Sequence, residues 1–219
     1  GEVIAFIGST GSGKSTLINL IPRFYDVTKG SIKIDGVDVR DYDLKYLRKK
    51  IGFIPQKTLL FTGSIANNIK FGKKDAEYKE VEDSAKIAQA YEFISNKPNK
   101  FDELITEGGS NVSGGQKQRL SIARAIVRKP DIYIFDDSFS ALDFKTDAIL
   151  RKELRAETKD AIVLIVAQRI GSIMDADKII VLNEGEVVGI GTHKELIKTC
   201  PIYHEIATSQ LTEEELANE

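Results

Sequence analysis

The stretch Val3-Ile4-Ala5-Phe6-Ile7-Gly8-Ser9-Thr10-Gly11-Ser12-Gly13-Lys14-Ser15-Thr16 determines the fold class of this 219-residue chain. Its first five residues form a continuous apolar run, which is typical of a central parallel strand buried on both faces. The eight residues from Gly8 to Ser15 fit the pattern G-x-x-x-x-G-K-[ST], a glycine-rich loop that wraps phosphate groups between a strand and a helix, and Thr16 follows them. We therefore predict an α/β fold with a P-loop core, in which this phosphate loop (residues 8–16) follows the first strand.

Strand and helix patterns alternate through most of the remaining sequence and predict a mostly parallel sheet. We expect strands over 3–7, 51–55, 132–135, 161–166 and 178–182, and helices over 14–24, 44–50, 65–70, 77–94, 114–128, 145–157, 170–174, 193–198 and 201–209. Asp35-Gly36 and Glu184-Gly185 mark hairpins, whose strands (31–34 with 37–39, and 186–190) supply an antiparallel β portion. The more helical, more polar region at about 58–129 is interpreted as a helical subdomain inserted into a core formed by 1–57 and 130–219.

Composition narrows the class of protein. Hydrophobic residues make up 42% and charged residues 29%, and the net charge is −2, so no basic excess points to nucleic acid. The single Cys200 excludes an internal disulfide and suits a reducing cytosol. No apolar run approaches the roughly 18 residues that span a bilayer. His193 and His204 are interpreted as ordinary surface histidines, and the acidic run 213–215 as a solvated tail.

The chain begins with Gly1 and enters a core strand at once, without a methionine. We interpret it as a piece of a longer protein.

The phosphate loop and one later strand carry a consistent set of nucleotide and metal ligands. Lys14 is expected to bring a compact cation to the β- and γ-phosphates, and Ser15 to coordinate Mg²⁺. The apolar strand 132–135 ends in two acids, of which Asp136 suits the Mg²⁺ shell and Asp137 the side where an attacking water is positioned. The nucleotide-binding residues predicted in the loop are Ser9, Thr10, Gly11, Ser12, Gly13, Lys14, Ser15 and Thr16.

A second phosphate cradle lies almost a hundred residues further on. Ser113, Gly114, Gly115 and Gln116 (the signature segment) open a predicted helix, where two glycines allow close backbone approach and free N–H groups attract an anion. One nucleotide does not need two such cradles from one chain. The spare cradle suggests that a second chain brings the other phosphate.

Together these elements resemble the nucleotide-binding domain of ABC transporters. The phosphate loop, Gln56 after the 51–55 strand, the signature segment, the Asp136 strand and Ser140-Ala141-Leu142-Asp143 occur in the order and spacing of that family. The resemblance implies binding and hydrolysis of ATP with Mg²⁺ by two domains paired head to tail. Each ATP would lie between one chain's phosphate loop and the other's signature segment. Asp143 would cross the dimer interface toward the partner's site. Gln56 would contact Mg²⁺ and the attacking water while sensing the membrane domain.

Finer features resemble the exporter branch of the family. The segment 60–65, followed by Asn67-Asn68-Ile69, is similar to the part that lies beneath an exporter's intracellular loops, and Glu107 is similar to an acidic residue of an exporter-specific loop. The implied partners are the transmembrane domain of the same transporter, absent from this chain, and a second nucleotide-binding domain. The implied location is the cytoplasmic face of the cell membrane.

Two residues depart from the family at the reacting centre. The usual catalytic glutamate is Asp137 here, and the usual switch histidine is Gln168. A carboxylate shortened by one methylene retreats by roughly 1–1.5 Å, and errors of about 1 Å can cost on the order of 100-fold in rate. Gln168 can hydrogen-bond a γ-phosphate but cannot carry a proton. The pairing resembles the degenerate subunit of heterodimeric multidrug exporters, with an impaired own site and an intact signature segment that serves a non-identical partner.

Two alternatives remain at this point. A soluble ABC-type ATPase of DNA repair would carry a long coiled coil between the phosphate loop and the signature segment, and one of translation would carry a second cassette and a basic character. This sequence has none of these features. A nucleotide-gated scaffold that binds ATP without hydrolysing it is favoured by Asp137.

Overall fold

The computed structural model describes residues 1–212, so the predicted tail 213–215 lies outside the described part of the chain. Its strands, in chain order, are β1 (Val3–Ile7), β2 (Lys33–Ile34), β3 (Val37–Asp38), β4 (Ile51–Ile54), β5 (Gly63–Ser64), β6 (Leu104–Ile105), β7 (Ile132–Asp136), β8 (Ile162–Val166), β9 (Lys178–Asn183) and β10 (Glu186–Gly191). Its α-helices are α1 (Lys14–Asn19), α2 (Leu44–Lys49), α3 (Ile65–Lys70), α4 (Tyr78–Ile87), α5 (Tyr91–Ser95), α6 (Gly114–Ile126), α7 (Phe144–Glu157), α8 (His193–Thr199) and α9 (Pro201–Thr208). Short 3-10 turns cover Lys100–Asp102, Glu107–Gly109 and Ile170–Ser172.

A six-stranded sheet forms the centre, in the order β10-β9-β1-β8-β7-β4. The five strands from β9 to β4 are mutually parallel, and β10 is antiparallel to β9 at one edge. β8 aligns the carboxyl ends of its two neighbours, because Val166 pairs with Phe6 on one side and with Asp136 on the other. Loops that leave the carboxyl ends of parallel strands meet at one edge of the sheet, where α/β proteins bind ligands. The mostly parallel α/β fold with added antiparallel strands is therefore confirmed.

Both faces of the sheet are covered, which explains the unbroken apolar runs of its strands. Because side chains alternate along a strand, Ala5 and Ile7 enter one core with Phe135, while Phe6 enters the other with Ile134. Full burial of one such side chain stabilises the fold by roughly 1.5–3 kcal/mol. The strands that carry the phosphate loop and the two acids are thus fixed from both sides.

Several predicted element boundaries were wrong. The first helix ends at Asn19 rather than at residue 24, and Arg23 has φ 54°. The predicted helix 77–94 is two helices, because Gln89 takes φ 55° and its carbonyl accepts a hydrogen bond (2.8 Å) from Arg119 Nη1. Residues 170–174 form a 3-10 turn of three residues rather than an α-helix. The two-residue strands β5 and β6 were not predicted, since neither carries a pattern of its own.

His193 was also placed wrongly, because its side chain is buried whereas that of His204 is exposed. Its Nδ1 lies 2.7 Å from the hydroxyl of Tyr203, so the ring joins α8 to α9 inside the protein. Within residues 1–212, no helix is long and apolar enough to cross a membrane.

Candidate nucleotide-binding site

The phosphate loop takes a backbone shape that depends on its glycines. Gly11 and Gly13 have φ 84° and 96°, a region that L side chains rarely adopt. At Gly8 a Cβ atom would collide with the carbonyl oxygen of Leu182 on β9. Gly13 caps α1 without a side chain, so the first N–H groups of that helix have no partner within it. The loop can therefore present backbone donors to phosphate oxygens.

Lys14 is held inside this loop. Its Nζ donates to the carbonyl oxygens of Gly8 and Ser9, both at 2.8 Å, and to Ser12 Oγ at 3.2 Å. Burial lowers the pKa of Lys14, and the nearby carboxylates of Asp137 and Asp136 offset part of that effect. The ammonium group is thus pre-positioned within the loop and attracted from the acidic strand end, as a cation for bound phosphate must be.

Ser15 and Asp136 lie together, since Ser15 Oγ donates to Asp136 Oδ1 at 2.8 Å. Both are hard oxygen donors, the class of ligand that Mg²⁺ selects. Within the described residues, no group of three His, Cys, Asp or Glu side chains forms a closed metal site. This fits Mg²⁺, which is usually bound through one or two protein oxygens together with substrate phosphates and water. Ser15 and Asp136 could hold the ion in this way.

Asp137 has a strained backbone and a crowded carboxylate. Its φ is 47°, and its N–H still extends the ladder by donating to Val166 O at 2.9 Å. Such conformations in non-glycine residues concentrate at functional sites. Only 8% of the residue is exposed. Burial raises the pKa of Asp137, and the hydrogen bond from Gln56 counteracts part of the rise.

Two glutamines donate to the same oxygen of Asp137. Asp137 Oδ2 accepts from Gln56 Nε2 at 2.8 Å and from Gln168 Nε2 at 2.7 Å. The two donors reach it from different parts of the sheet edge, one after β4 and one after β8. A carboxylate oxygen has two lone pairs, so both on Oδ2 are engaged by amides. The arrangement holds the carboxylate in place while occupying half of its acceptor capacity.

The signature segment forms a helix cap. Ser113 Oγ accepts from the Gln116 N–H at 3.3 Å, and Gln116 Oε1 accepts from the Ser113 N–H at 3.1 Å, which together make a capping box for α6. Gly115 lies close to the loop before Asp143, because a Cβ atom here would be a tight 3.2 Å from the carbonyl oxygen of Ala141. The signature segment therefore packs directly against the loop that leads to Asp143.

Asp143 in turn caps α7 and remains exposed. Its carboxylate accepts from Thr146 N at 2.9 Å and Thr146 Oγ1 at 2.7 Å, and these hydrogen bonds lower the pKa of Asp143. The predicted residues thus form two groups. The first joins Lys14, Ser15, Gln56, Asp136, Asp137 and Gln168, and the second joins the signature segment with Asp143. Across residues 1–212, no hydrogen bond links a member of one group to a member of the other.

Some buried polar side chains that hold these two groups in place were not predicted from the sequence. Buried Gln118 on α6 accepts from Thr58 Oγ1 at 2.7 Å and so ties the signature helix to the segment after Gln56. Sixty positions separate this pair, so no local pattern could have revealed it. Buried Asp147 was missed too, although it lies four residues after Asp143 on the same helical face, a spacing that could have drawn attention to it.

Comparison with known proteins identifies the family of the chain. The family model described as ABC transporter matches residues 1–140. An uncharacterized ABC transporter ATP-binding protein of Mycobacterium bovis is 45% identical over 213 residues, which is 96% of this chain and 36% of that protein. A Staphylococcus aureus protein described as a candidate multidrug export ATP-binding/permease protein is 46% identical over 210 residues, again 96% of this chain and 36% of that protein.

A solved structure, that of a bacterial Atm1-family ABC exporter with ATP bound, superposes with a TM-score of 0.94 at 37% identity. The match covers 97% of this chain and 38% of the exporter chain. The chain therefore spans about a third of the length of the proteins it matches. Since the family model covers 140 of its 219 residues and relatives are 45% identical across 96% of it, the chain belongs to the ABC transporter family.

Proposed function

We propose that this chain is the ATP-binding motor domain of an ABC exporter, that it pairs with a second nucleotide-binding domain when ATP is bound, and that its own site hydrolyses ATP slowly. The observation that carries the last part is the double occupation of Asp137 Oδ2 by the Gln56 and Gln168 amides. A general base has to reach its water at about 2.6–3.2 Å with a free lone pair. Only Oδ1 is left for that task, and a short carboxylate held in place through Oδ2 cannot move it toward the water.

In this proposal the first group of residues holds Mg²⁺-ATP. The phosphate loop and Lys14 bind the β- and γ-phosphates, while Ser15, Asp136 and Gln56 bind the metal, which neutralises phosphate charge when bound. Gln168 keeps one amide proton on Asp137 and has a second N–H with which to bind the γ-phosphate. These interactions stabilise bound ATP and do not require a proton to move.

The second group serves the ATP of the partner domain. The signature segment and exposed Asp143 are linked to each other and are not hydrogen-bonded to the first group within residues 1–212. Intact signature residues beside an altered Asp137 and Gln168 favour a non-identical partner, whose own catalytic residues complete the active site.

The membrane domain docks on a groove lined by the exposed rings of Phe24 and Phe71 and by Arg124, with Phe61 packed against Phe71. The rings of Phe61 and Phe71 lie 4.5 Å apart, and the Arg124 guanidinium lies over both, at 5.3 Å and 5.6 Å from their centroids. Phe71 is 59% exposed. Exposed aromatic rings with a cation over them suit recognition of a partner. We assign this groove to a cytoplasmic helix of the exporter's transmembrane domain, and the helical region 58–129 to a subdomain inserted in the ATPase core. This assignment places the chain at the cytoplasmic face of the membrane.

The test is phosphate release by the purified chain at saturating Mg²⁺-ATP. We expect a low rate in the wild type and a gain of about tenfold or more for Asp137→Glu combined with Gln168→His, because the longer carboxylate recovers roughly 1–1.5 Å of reach. Lys14→Ala is the blank that exposes contaminating ATPases. Wild-type turnover at ordinary enzyme rates of ~1–10³ s⁻¹, unchanged in Gln168→Ala, would contradict the proposal.

A nucleotide-gated scaffold is a second candidate, which the engaged carboxylate of Asp137 favours. It differs from the first in one outcome. If ATP drives pairing with a partner domain but neither site releases phosphate in the mixture, the chain is a scaffold rather than half of an ATPase.

A further inference from the structure

We propose that Asp147 is a positioning residue that fixes the segment carrying Gln168 relative to the segment carrying Asp143, and so couples the partner-facing loop to the γ-phosphate side of this chain's own site. The inference rests on the proposed function. Asp147 is a carboxylate with only 4% of its surface exposed, and it does not belong to either group of predicted site residues.

The first observation is the bridge that Asp147 forms between two elements. Its Oδ1 accepts from Arg151 Nε at 3.1 Å on its own helix, and its Oδ2 accepts from Ser172 Oγ at 3.3 Å on the 3-10 turn that follows Gln168. Ser172 is itself 93% buried. A buried carboxylate is costly unless it is hydrogen-bonded, so these contacts confine both the turn and the first turn of α7.

The bridge is continuous with Asp143 on one side. The Asp147 N–H donates to the Asp143 carbonyl at 2.9 Å, as the first hydrogen bond of α7. A displacement of Asp143 is therefore passed directly to Asp147. A second contact runs parallel to it at the surface, where Arg169 donates to Ser140 O at 3.3 Å and stacks over the 80% exposed ring of Phe144.

On the other side, the bridge reaches Gln168 through a short, restrained backbone. The Ile170 N–H donates to Gln210 Oε1 at 2.8 Å, and Gln210 Nε2 donates to Gln168 O at 2.9 Å. With Ser172 held by Asp147 and residues 168 and 170 held by Gln210, the peptide between them has little freedom to move independently.

The packing of α7 explains why a polar bridge controls its position. An open cavity of about 310 Å³ lies beside the buried side of α7, with Ala148 and Arg151 on the helix side and Phe135 and Ile165 on the sheet side. Close packing normally fixes a helix to within a fraction of an ångström, and a cavity removes that restraint locally. The Asp147–Ser172 contact lies at the end of this cavity, where Ser172 is part of the lining.

The test compares the dissociation constants of the purified chain for Mg²⁺-ADP and Mg²⁺-ATP, measured by calorimetry at low temperature. Gln168 contacts only the third phosphate, so its misplacement lowers the preference for ATP and leaves ADP binding alone. We expect Asp147→Ala and Ser172→Ala each to reduce the ATP-over-ADP ratio by about tenfold, the equivalent of one hydrogen bond to a charged group. The exposed Asp160→Asn is the matched control, with the ratio of the wild type.

Non-additivity separates positioning from general damage. If the two side chains act as one bridge, the double variant should lose no more than either single variant, whereas independent structural defects should add. Loss of both affinities together with the unfolding transition would indicate a merely structural role and overturn the proposal. Ser172→Ala removes a single hydroxyl, so it keeps the test decisive even if Asp147→Ala does not fold.

Gln168→Ala separates this inference from the proposed function. If it abolishes the ATP preference while Asp147→Ala and Ser172→Ala leave it intact, the bridge is refuted and the proposed function stands. If the wild type shows no ATP preference at all, both fail.

Discussion

Replacing Asp137 with asparagine should make the nucleotide-free chain more stable at neutral pH. Asparagine has the same shape, and its side-chain oxygen can still accept from the Gln56 and Gln168 amides that now lie 2.8 Å and 2.7 Å from Oδ2. The substitution removes a charge that the site disfavours, because burial raises the pKa of Asp137 even though Gln56 donates to it. The direction of that pKa shift determines the sign of the effect.

The dependence on pH follows from linkage. Because the folded state holds this proton more tightly than the unfolded chain, whose ordinary pKa is 3.8, ionisation of Asp137 costs stability above its folded pKa. The cost shrinks as the pH falls below the folded pKa, and it is gone once the pH is below the unfolded pKa of 3.8. Asp137→Asn should therefore show its full advantage at pH 7–8 and lose that advantage in the acid range.

The free energy of unfolding should rise by on the order of 1 kcal/mol. The two amide hydrogen bonds, each worth about 1 kcal/mol, offset part of the cost of burying the charge. For a domain of this length, that corresponds to a rise in Tm of about 2–4 °C. Thermal unfolding followed by circular dichroism between pH 8 and pH 4 measures both quantities, with Asp160→Asn as the control for removing an exposed carboxylate. A lower Tm for Asp137→Asn at pH 7, or an advantage that grows on acidification, would refute the reasoning.

Two further predictions separate the fold from its interfaces. Phe71→Ala and Gly72→Ala differ by one position, yet only Gly72→Ala should strongly lower the free energy of unfolding, by about 1–3 kcal/mol or more, because its new Cβ would collide with the Arg124 carbonyl oxygen. Phe71→Ala should instead weaken co-purification with the full-length transporter's membrane domain, and the opposite pattern would exclude the aromatic groove as the docking site. Gly114→Ala meets open space at the first residue of a helix, so the free energy of unfolding should hold or rise by at most the ~1 kcal/mol that alanine gains over glycine in a helix interior. ATP-driven pairing measured by sedimentation should fall at least tenfold, and unchanged pairing would argue against the signature cradle.

The parts of the fold that the sequence predicts well are those with a strong local pattern. The central strands follow from unbroken apolar runs, and α6 and α7 begin within one residue of their predicted starts because Ser113 and Asp143 are good N-cap residues. The split of the helix predicted over 77–94 could not be foreseen. It depends on Gln89 adopting a left-handed conformation that Arg119, thirty residues away, stabilises by a hydrogen bond.

In the candidate site, too, contacts that follow from a local sequence pattern could be predicted, and contacts that depend on distant parts of the chain could not. The partnership of Ser15 with Asp136 follows from a motif and a strand end, and the structure brings the two within 2.8 Å. The shared contacts of Asp137 with two glutamines could not be predicted, because they depend on where two loops end relative to each other. Buried His193 was misjudged for a related reason, since its burial comes from the packing of α8 on α9 rather than from its neighbours in sequence.

The double contact at Asp137 also gives a physical reason why its two unusual residues belong together. In the proposed function, the shorter carboxylate leaves space on the γ-phosphate side, which the Gln168 amide fills with a donor that is present at every pH. A neutral imidazole in the same place would carry an N–H on only one of its two nitrogens, and the ring would titrate near neutrality. Glutamine holds Asp137 and, in the proposed function, offers its second N–H to phosphate without taking or releasing a proton. Restoring either residue alone would leave one mismatch, a long carboxylate facing a fixed amide or a titrating ring facing a short carboxylate. The gain in phosphate release should therefore appear mainly in the double variant, as an excess over the sum of the single effects on the free energy of activation.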